Sequence, residues 1–237
     1  MITIYGSIMS PYVRKVLIAL EFKGIPYELR SIKPNIPEDR EQLLKIHPLG
    51  KIPVLKDAQL ILPDSSVICA YLEKKYVDFP LYPNDPESYA QCLWYEEYAD
   101  SYLINTSRAI FRHSQIISTT LRHKRDIKAY KQALSKDLPL SFDYLNNQLK
   151  NHYLVDNRLT IADISIFVAF LNLEFIGLNI NKGRWGNLAQ YLEDRSVERC
   201  IKVISQRAIK VLKEQYAIIN KEDKIDVAYC TNLQETH

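Results

Sequence analysis

Three prolines within ten residues, at 80, 83 and 86, divide this chain into two stretches with different hydrophobic periods. No helix or strand can run through Val77-Asp78-Phe79-Pro80-Leu81-Tyr82-Pro83-Asn84-Asp85-Pro86, so whatever folds before it and after it folds as separate sets of elements. Before it, period-two runs alternate with helical ones. Ile2 to Tyr5 read as a strand, Gly6 breaks it, and from Val13 the apolar residues Val16, Leu17, Leu20 and Phe22 recur at roughly helical spacing. Tyr27 to Ile32 suit a second strand and Arg40 to Ile46 a short helix. Ile52 to Leu55 and Leu60 to Leu62 form a hairpin around Lys56-Asp57-Ala58, and Asp64 caps a helix through about Tyr76. The order β-α-β-α-β-β-α is the thioredoxin-like arrangement.

After Pro86 almost everything reads as helix: about Glu87 to Gln115, Asp126 to Lys150, Ile161 to Leu173, and two more within 186 to 217. The expected organisation is a thioredoxin-like domain over 1–77, a linker over 78–86, an all-helical bundle over 87–219 and a polar, loosely docked tail over 220–237. At 237 residues the chain is long enough for two such domains. Thr160-Ile161-Ala162-Asp163 is a variant of the capping box, with Leu159 and Ile164 spaced for a hydrophobic staple, and predicts a helix start without chemistry.

Lys and Arg total 31 against 28 Asp and Glu, a formal charge of +3 that gives no support to a nucleic-acid partner. No apolar run reaches about 18 residues, and the start of the chain enters a strand directly, so the expectation is no membrane partner and a cytoplasmic location. Cys69, Cys92, Cys200 and Cys230 are too dispersed for a metal knuckle or a redox pair, and no His is spaced with a partner, so no metal is expected. Lys and Arg cluster in the segment Leu121 to Lys131, with Arg122, His123, Lys124, Arg125 and Lys128, and this is most simply a solvated loop and helix start.

Ser10-Pro11 is a helix N-cap followed by proline at the first helical position, where unpaired N–H groups and the helix dipole favour an anion. Two further segments have comparable local character. Pro53 opens a strand and tolerates its missing N–H there, leaving Ile52 able to pair with an extended peptide if its bond to Pro53 is cis. Asp64-Ser65 begins the last helix of the first half.

Taken in order, Ser7 to Val16, His47 to Leu55, Leu62 to Leu72 and Thr160 to Asp163 resemble the cytosolic glutathione transferase superfamily, over roughly 210 residues. The resemblance implies the two-domain fold just described, glutathione as co-substrate, and a homodimer. It implies that the Ile52–Pro53 bond is cis and that Ile52 pairs with the cysteinyl part of glutathione. It further implies that Asp64 and Ser65 take the ammonium and carboxylate of the γ-glutamyl end. The Ser10-Pro11-Tyr12-Val13 run resembles tau-class and several bacterial members, with serine where omega-like relatives carry cysteine, which argues against disulfide exchange. Ser10 is then the candidate that activates the thiol: a free thiol is only about 3% ionised at pH 7, and a hydroxyl donor at a helix N-terminus can lower its pKa. Ser7 is the nearest competitor, with Tyr5 and Tyr12 behind it.

The glycyl carboxylate has no obvious receptor. The lysine that tau-class members carry falls near Glu38 here, leaving Lys51, Arg40 and Lys33. Tyr95, Tyr98 and Tyr102 share one helix face, either as core or subunit contact or as the wall of an apolar second-substrate pocket with Tyr12, Arg108 and Phe111. The expected activity is conjugation of glutathione to small, mostly apolar electrophiles in detoxification. A non-catalytic interaction or regulatory protein on the same fold, and a glutathione-dependent isomerase or dehalogenase, are the alternatives.

Overall fold

The computed structural model describes residues 1–114, 117 and 124–222. Gln115, Arg122, His123, Cys230 and the expected tail past 222 lie outside them.

Strands β1 (Ile2–Tyr5), β2 (Tyr27–Arg30), β3 (Val54–Asp57) and β4 (Leu60–Pro63) form one mixed sheet in the order β2-β1-β3-β4. β1 pairs parallel with β2 and antiparallel with β3, and β3 turns back on β4. The parallel pair needs a crossover, which α1 (Pro11–Phe22) supplies; α2 (Pro37–Leu44) and α3 (Ser65–Lys75) complete this half. α2 starts and ends earlier than its apolar spacing predicts, because Pro37 sets its first turn.

Gly6 is where three segments meet. A Cβ there would lie 2.6 Å from Val13 Cγ2 and 3.5 Å from Ile52 Cβ, so only glycine lets the end of β1 pass between α1 and the Ile52 turn.

The helical half begins with α4 (Pro86–Tyr98) and α5 (Ile104–His113), joined through a π-helical turn at Ala99–Leu103. α6 (Ile127–Gln132) runs into α7 (Leu138–Gln148) through a second such turn, Ala133–Asp137. α8 (Ile161–Glu174), α9 (Gly186–Ser196) and α10 (Arg199–Glu222) follow. α8 is apolar all round and buried from Ile161 to Leu173, the central post of the bundle against which α1, α4 and α5 all pack.

The capping box at its start is built around Asp163. One carboxylate oxygen accepts from the Thr160 N–H (2.9 Å) and Oγ1 (2.9 Å), and the other from the Leu154 N–H (3.1 Å) and Tyr191 Oη (2.9 Å).

The proline-rich segment is held from both sides. Lys23 Nζ donates to the carbonyls of Tyr76, Asp78 and Phe79 and pairs with Glu73 at 2.8 Å, while Glu73 accepts from the Leu81 and Tyr82 N–H groups. From the helical side Arg158 donates to the Pro80 and Tyr82 carbonyls, and the Ile161 N–H to the Leu81 carbonyl.

Candidate functional site

The turn Ser7 to Ser10 closes with the Ser10 N–H on the Ser7 carbonyl at 2.9 Å. Ser10 has extended backbone angles, and Pro11 occupies the first helical position of α1 as its fixed φ favours. The two serines differ. Ser7 Oγ accepts from the Met9 N–H at 3.3 Å, whereas the Ser10 hydroxyl caps no N–H of its own helix and has no partner among the described residues. Half-buried at a helix N-terminus, it is a free donor beside unpaired backbone N–H groups.

The Ile52–Pro53 bond is cis. The β1–β3 pairing begins only at Val54, so Ile52 takes no part in it. Asp64 stands at φ 74°, an uncommon and strained conformation for a non-glycine residue, with its carboxylate accepting from the Ser66 (2.9 Å) and Val67 (3.2 Å) N–H groups. Ser65 behind it is buried.

The first and third segments are tied by a buried cluster that sequence reading passed over. Lys15 Nζ, fully enclosed on α1, lies 2.9 Å from Ser66 Oγ, 3.0 Å from Glu96 Oε1 and 2.5 Å from Asp100 Oδ2. Ser66 Oγ donates to the same Asp100 oxygen at 3.0 Å, and Tyr82 Oη to Glu96 Oε2 at 3.1 Å. Burial opposes the charge on Lys15, but Glu96 and Asp100 outweigh it and raise its pKa. Burial also raises the Asp100 carboxyl, with Lys15 pulling the other way. The signal was present: Glu96 and Asp100 are spaced i, i+4 on the face of α4 and its following π-helical turn that otherwise carries Cys92, Ala99 and Leu103.

The residues expected around a second substrate do not converge on one place. Tyr12 Oη donates to the Asp100 carbonyl at 2.9 Å, in the π-helical turn where the regular ladder is interrupted. Burial, then Asp100, raise its pKa and keep the phenol protonated, while Arg108 acts on it in the opposite sense. Arg108 is exposed and donates to Asn105 Oδ1 at 2.9 Å. Tyr98 and Tyr102 instead line an open groove of about 430 Å³ with Trp94, Glu97, Ser101, Leu140 and Tyr144. At 100° per residue this face of α4 is turned away from Glu96 and Asp100. Tyr98 stacks on Tyr102 with centroids 5.6 Å apart and meets Tyr144 at 5.1 Å, and Trp94 Nε1 donates to Tyr144 Oη at 2.7 Å. Tyr95, on the same predicted stripe, is buried in the core.

Around the Ile52 turn, Lys51 is exposed. Gly50 has φ 57°, and a Cβ on it would lie 3.3 Å from Arg40 Nη1, so the guanidinium rests against the backbone next to Lys51. Neither cation has a carboxylate partner among the described residues.

Residues 4–80 match the family model of the glutathione S-transferase N-terminal domain, and residues 111–195 that of the glutathione S-transferase C-terminal domain. The chain belongs to the glutathione S-transferase superfamily. Within it, the chain is 42% identical over 82 residues to a glutathione S-transferase of Triticum aestivum, covering 35% of this chain and 37% of that one. It is 26% identical over 182 residues to glutathione S-transferase omega-1 of Rattus norvegicus, covering 75% and 69%. It is 30% identical over 104 residues to glutathione S-transferase U2 of Arabidopsis thaliana, covering 44% and 45%. The matches to the wheat and Arabidopsis proteins thus span less than half of those chains. Glutathione transferase F2 of Populus trichocarpa superposes with a TM-score of 0.77 over 89% of this chain and all of its own, at 22% identity, which fixes the glutathione transferase fold. Among the described residues no group of side chains has metal-ligand spacing, and no helix is long and apolar enough to cross a membrane.

Proposed function

We propose that this member of the superfamily conjugates glutathione to small, mostly apolar electrophiles, with Ser10 donating to the glutathione sulfur and holding it as thiolate. The observation that carries the reading is the meeting of three segments at one end of the sheet. Val13 on the first turn of α1, three residues past Ser10, and Ile52 both close on Gly6, and Ser66, next to Asp64-Ser65, is tied to α1 through Lys15. At that end the tripeptide's cysteinyl backbone would pair with Ile52. Its γ-glutamyl carboxylate would meet Ser65 and the α3 N-terminus, and its ammonium Asp64. Ser10 at the N-terminus of α1 makes no hydrogen bond through its hydroxyl among the described residues, whereas Ser7 Oγ is held on the Met9 N–H, and this supports Ser10 as the activating residue.

The glycyl carboxylate is assigned to Lys51 and to Arg40, whose guanidinium rests against Gly50 beside it. The electrophile is assigned to the side of Tyr12 and Arg108. The reading carries the boundaries 1–77, 78–86, 87–219 and 220–237, a homodimer and a cytoplasmic location. Exposed Trp94, Tyr102 and Leu140 along the α4–α7 groove support a contact between subunits.

Calorimetric titration with glutathione, paired with a conjugation assay on a generic aryl halide, tests it. Saturable binding and turnover are expected. Absence of binding overturns the reading, and binding without turnover of any electrophile panel would turn it toward a non-catalytic role.

A further inference from the structure

Arg14 is one of the most deeply buried side chains of the protein, fully enclosed at the junction of α1 with α8, and no carboxylate neutralises it among the described residues. Burial alone pushes its pKa down, to about 9, and at neutral pH it keeps its charge. A buried charge without a counter-ion is costly and persists where its hydrogen bonds do something an apolar side chain cannot.

Those bonds have a pattern. Nη1 donates to the carbonyls of Ile8 (3.1 Å) and Met9 (3.0 Å), the two residues inside the Ser7–Ser10 turn. Nη2 donates to the Val168 carbonyl (3.1 Å) and to Asn172 Oδ1 (2.6 Å) on α8. The Arg14 N–H closes the first turn of α1 on the Ser10 carbonyl at 3.0 Å, and the guanidinium lies 5.4 Å from the centroid of the Phe175 ring. The turn's own bonds, Ser10 N–H to the Ser7 carbonyl and Met9 N–H to Ser7 Oγ, leave the Ile8 and Met9 carbonyls to be satisfied from outside. One planar fork therefore joins both of them to the most buried helix of the bundle.

We propose that Arg14 is a positioning residue for Ser10: by bridging the Ile8 and Met9 carbonyls to Val168 and Asn172 it fixes where the Ser10 hydroxyl points, and so how strongly that hydroxyl lowers the pKa of the thiol before it. The inference rests on the transferase reading. A hydroxyl displaced by about 1 Å loses much of a hydrogen bond whose value depends on aim.

Two variants test it. Arg14→Lys keeps the charge and loses the fork; Asn172→Ala keeps Arg14 and removes one of its anchors. Lys15, Asp64, Asp100 and Arg108, the other charged groups around Tyr12 at the start of α1, are unchanged in both. The thiol of bound glutathione is titrated by its ultraviolet thiolate absorbance, beside kcat/KM against pH and the thermal midpoint. The wild type is measured first: if it binds no glutathione, the transferase reading falls and this inference with it. If it binds, Arg14→Lys is expected to raise the bound thiol's pKa by about one unit, lowering kcat/KM about tenfold below that pKa with recovery at alkaline pH. Asn172→Ala is expected to shift it in the same direction by less. A bound-thiol pKa unchanged in both variants, whatever the thermal midpoint does, leaves the transferase reading standing and overturns the role of Arg14. If Arg14→Lys does not fold, the shift in Asn172→Ala decides.

Discussion

Lys15 Nζ and Glu96 Oε1 lie 3.0 Å apart with neither side chain more than 5% exposed, an ion pair shut inside the junction of the two halves of the protein. Asp100 shares the same ammonium, so two carboxylates depend on one cation. Removing one partner of a buried pair leaves the other uncompensated. Lys15→Met is therefore expected to cost about 3–5 kcal/mol in unfolding free energy, read from urea melts, although it adds apolar surface. The pH dependence has a definite sign. The pKa of Lys15 is raised above its ordinary value of 10.5, so its contribution is complete below that value and is lost as pH climbs past it. The pKa of Asp100 is raised too, and rises further without Lys15. Protonation relieves the unpaired carboxylate, so the deficit of the variant is expected to shrink toward acid pH and to narrow again above pH 10.5. A deficit constant from pH 4 to pH 11 would contradict this account.

Asp163 holds two N–H groups, a threonine hydroxyl and a tyrosine hydroxyl with one carboxylate, fully buried. Burial raises its pKa, and these four donors oppose the rise. Asp163→Ala leaves buried donors unmatched at about 1–3 kcal/mol each, so a loss of at least about 3 kcal/mol is expected, enough to lower the thermal midpoint by several degrees or more in calorimetry. Asp163→Asn keeps acceptor capacity on one atom and is expected to lie between the two.

The element order was legible because apolar spacing records it: β1, α1, β4, α3 and α8 begin or end within about two residues of where period and caps place them. The cis bond at Pro53 was legible only through family resemblance, since nothing local to Ile52 specifies it. What escaped were the tertiary uses of charge. Arg14 and Lys15 sit adjacent in sequence on an apolar helix with no local partner, yet one is consumed by carbonyls and the other by carboxylates more than eighty residues away. The stripe Tyr95, Tyr98, Tyr102 read as one face, but a helical repeat places Tyr95 toward the core and leaves the other two on the groove.

The contrast between the two serines predicts unequal variants. Ser10→Ala removes the unclaimed donor and is expected to lower kcat/KM for aryl-halide conjugation about a hundredfold near neutral pH, with partial recovery as pH approaches the ordinary thiol value. Ser7→Ala loses an acceptor for one turn N–H and is expected to stay within a few fold. The reverse order, measured in the same steady-state assay, would transfer the role to Ser7.

Lys51 and Arg40 are expected to contribute affinity toward one end of the tripeptide only. Arg40→Ala and Lys51→Ala should each weaken glutathione binding about three- to tenfold by calorimetry, the range of a partly exposed cation on a carboxylate. The dipeptide γ-glutamylcysteine lacks the glycyl carboxylate, and its affinity should be the same for wild type and both variants. Equal losses with both ligands would mean that these cations act on the fold or on the γ-glutamyl end.

The groove between α4 and α7 presents Trp94, Tyr98, Tyr102 and Leu140 at the surface, turned away from the Lys15 cluster. If it is the subunit contact, a two-fold axis uses every residue in it twice, so a single substitution removes two anchors. Aromatic anchors at interface centres are worth about 2 kcal/mol or more each on truncation. Trp94→Ala is then expected to weaken the dimer on the order of a hundred- to a thousandfold, seen as monomer in sedimentation velocity at micromolar concentration. Trp94 also holds Tyr144 through its indole N–H, so Tyr102→Ala, which breaks no side-chain hydrogen bond among the described residues, serves as the second variant and should act in the same direction. Glutathione affinity per chain should change little in either, because Ser10, Ile52 and Asp64 all belong to the other half of the same chain. Dimers that persist in both variants would assign the groove to something other than a second copy.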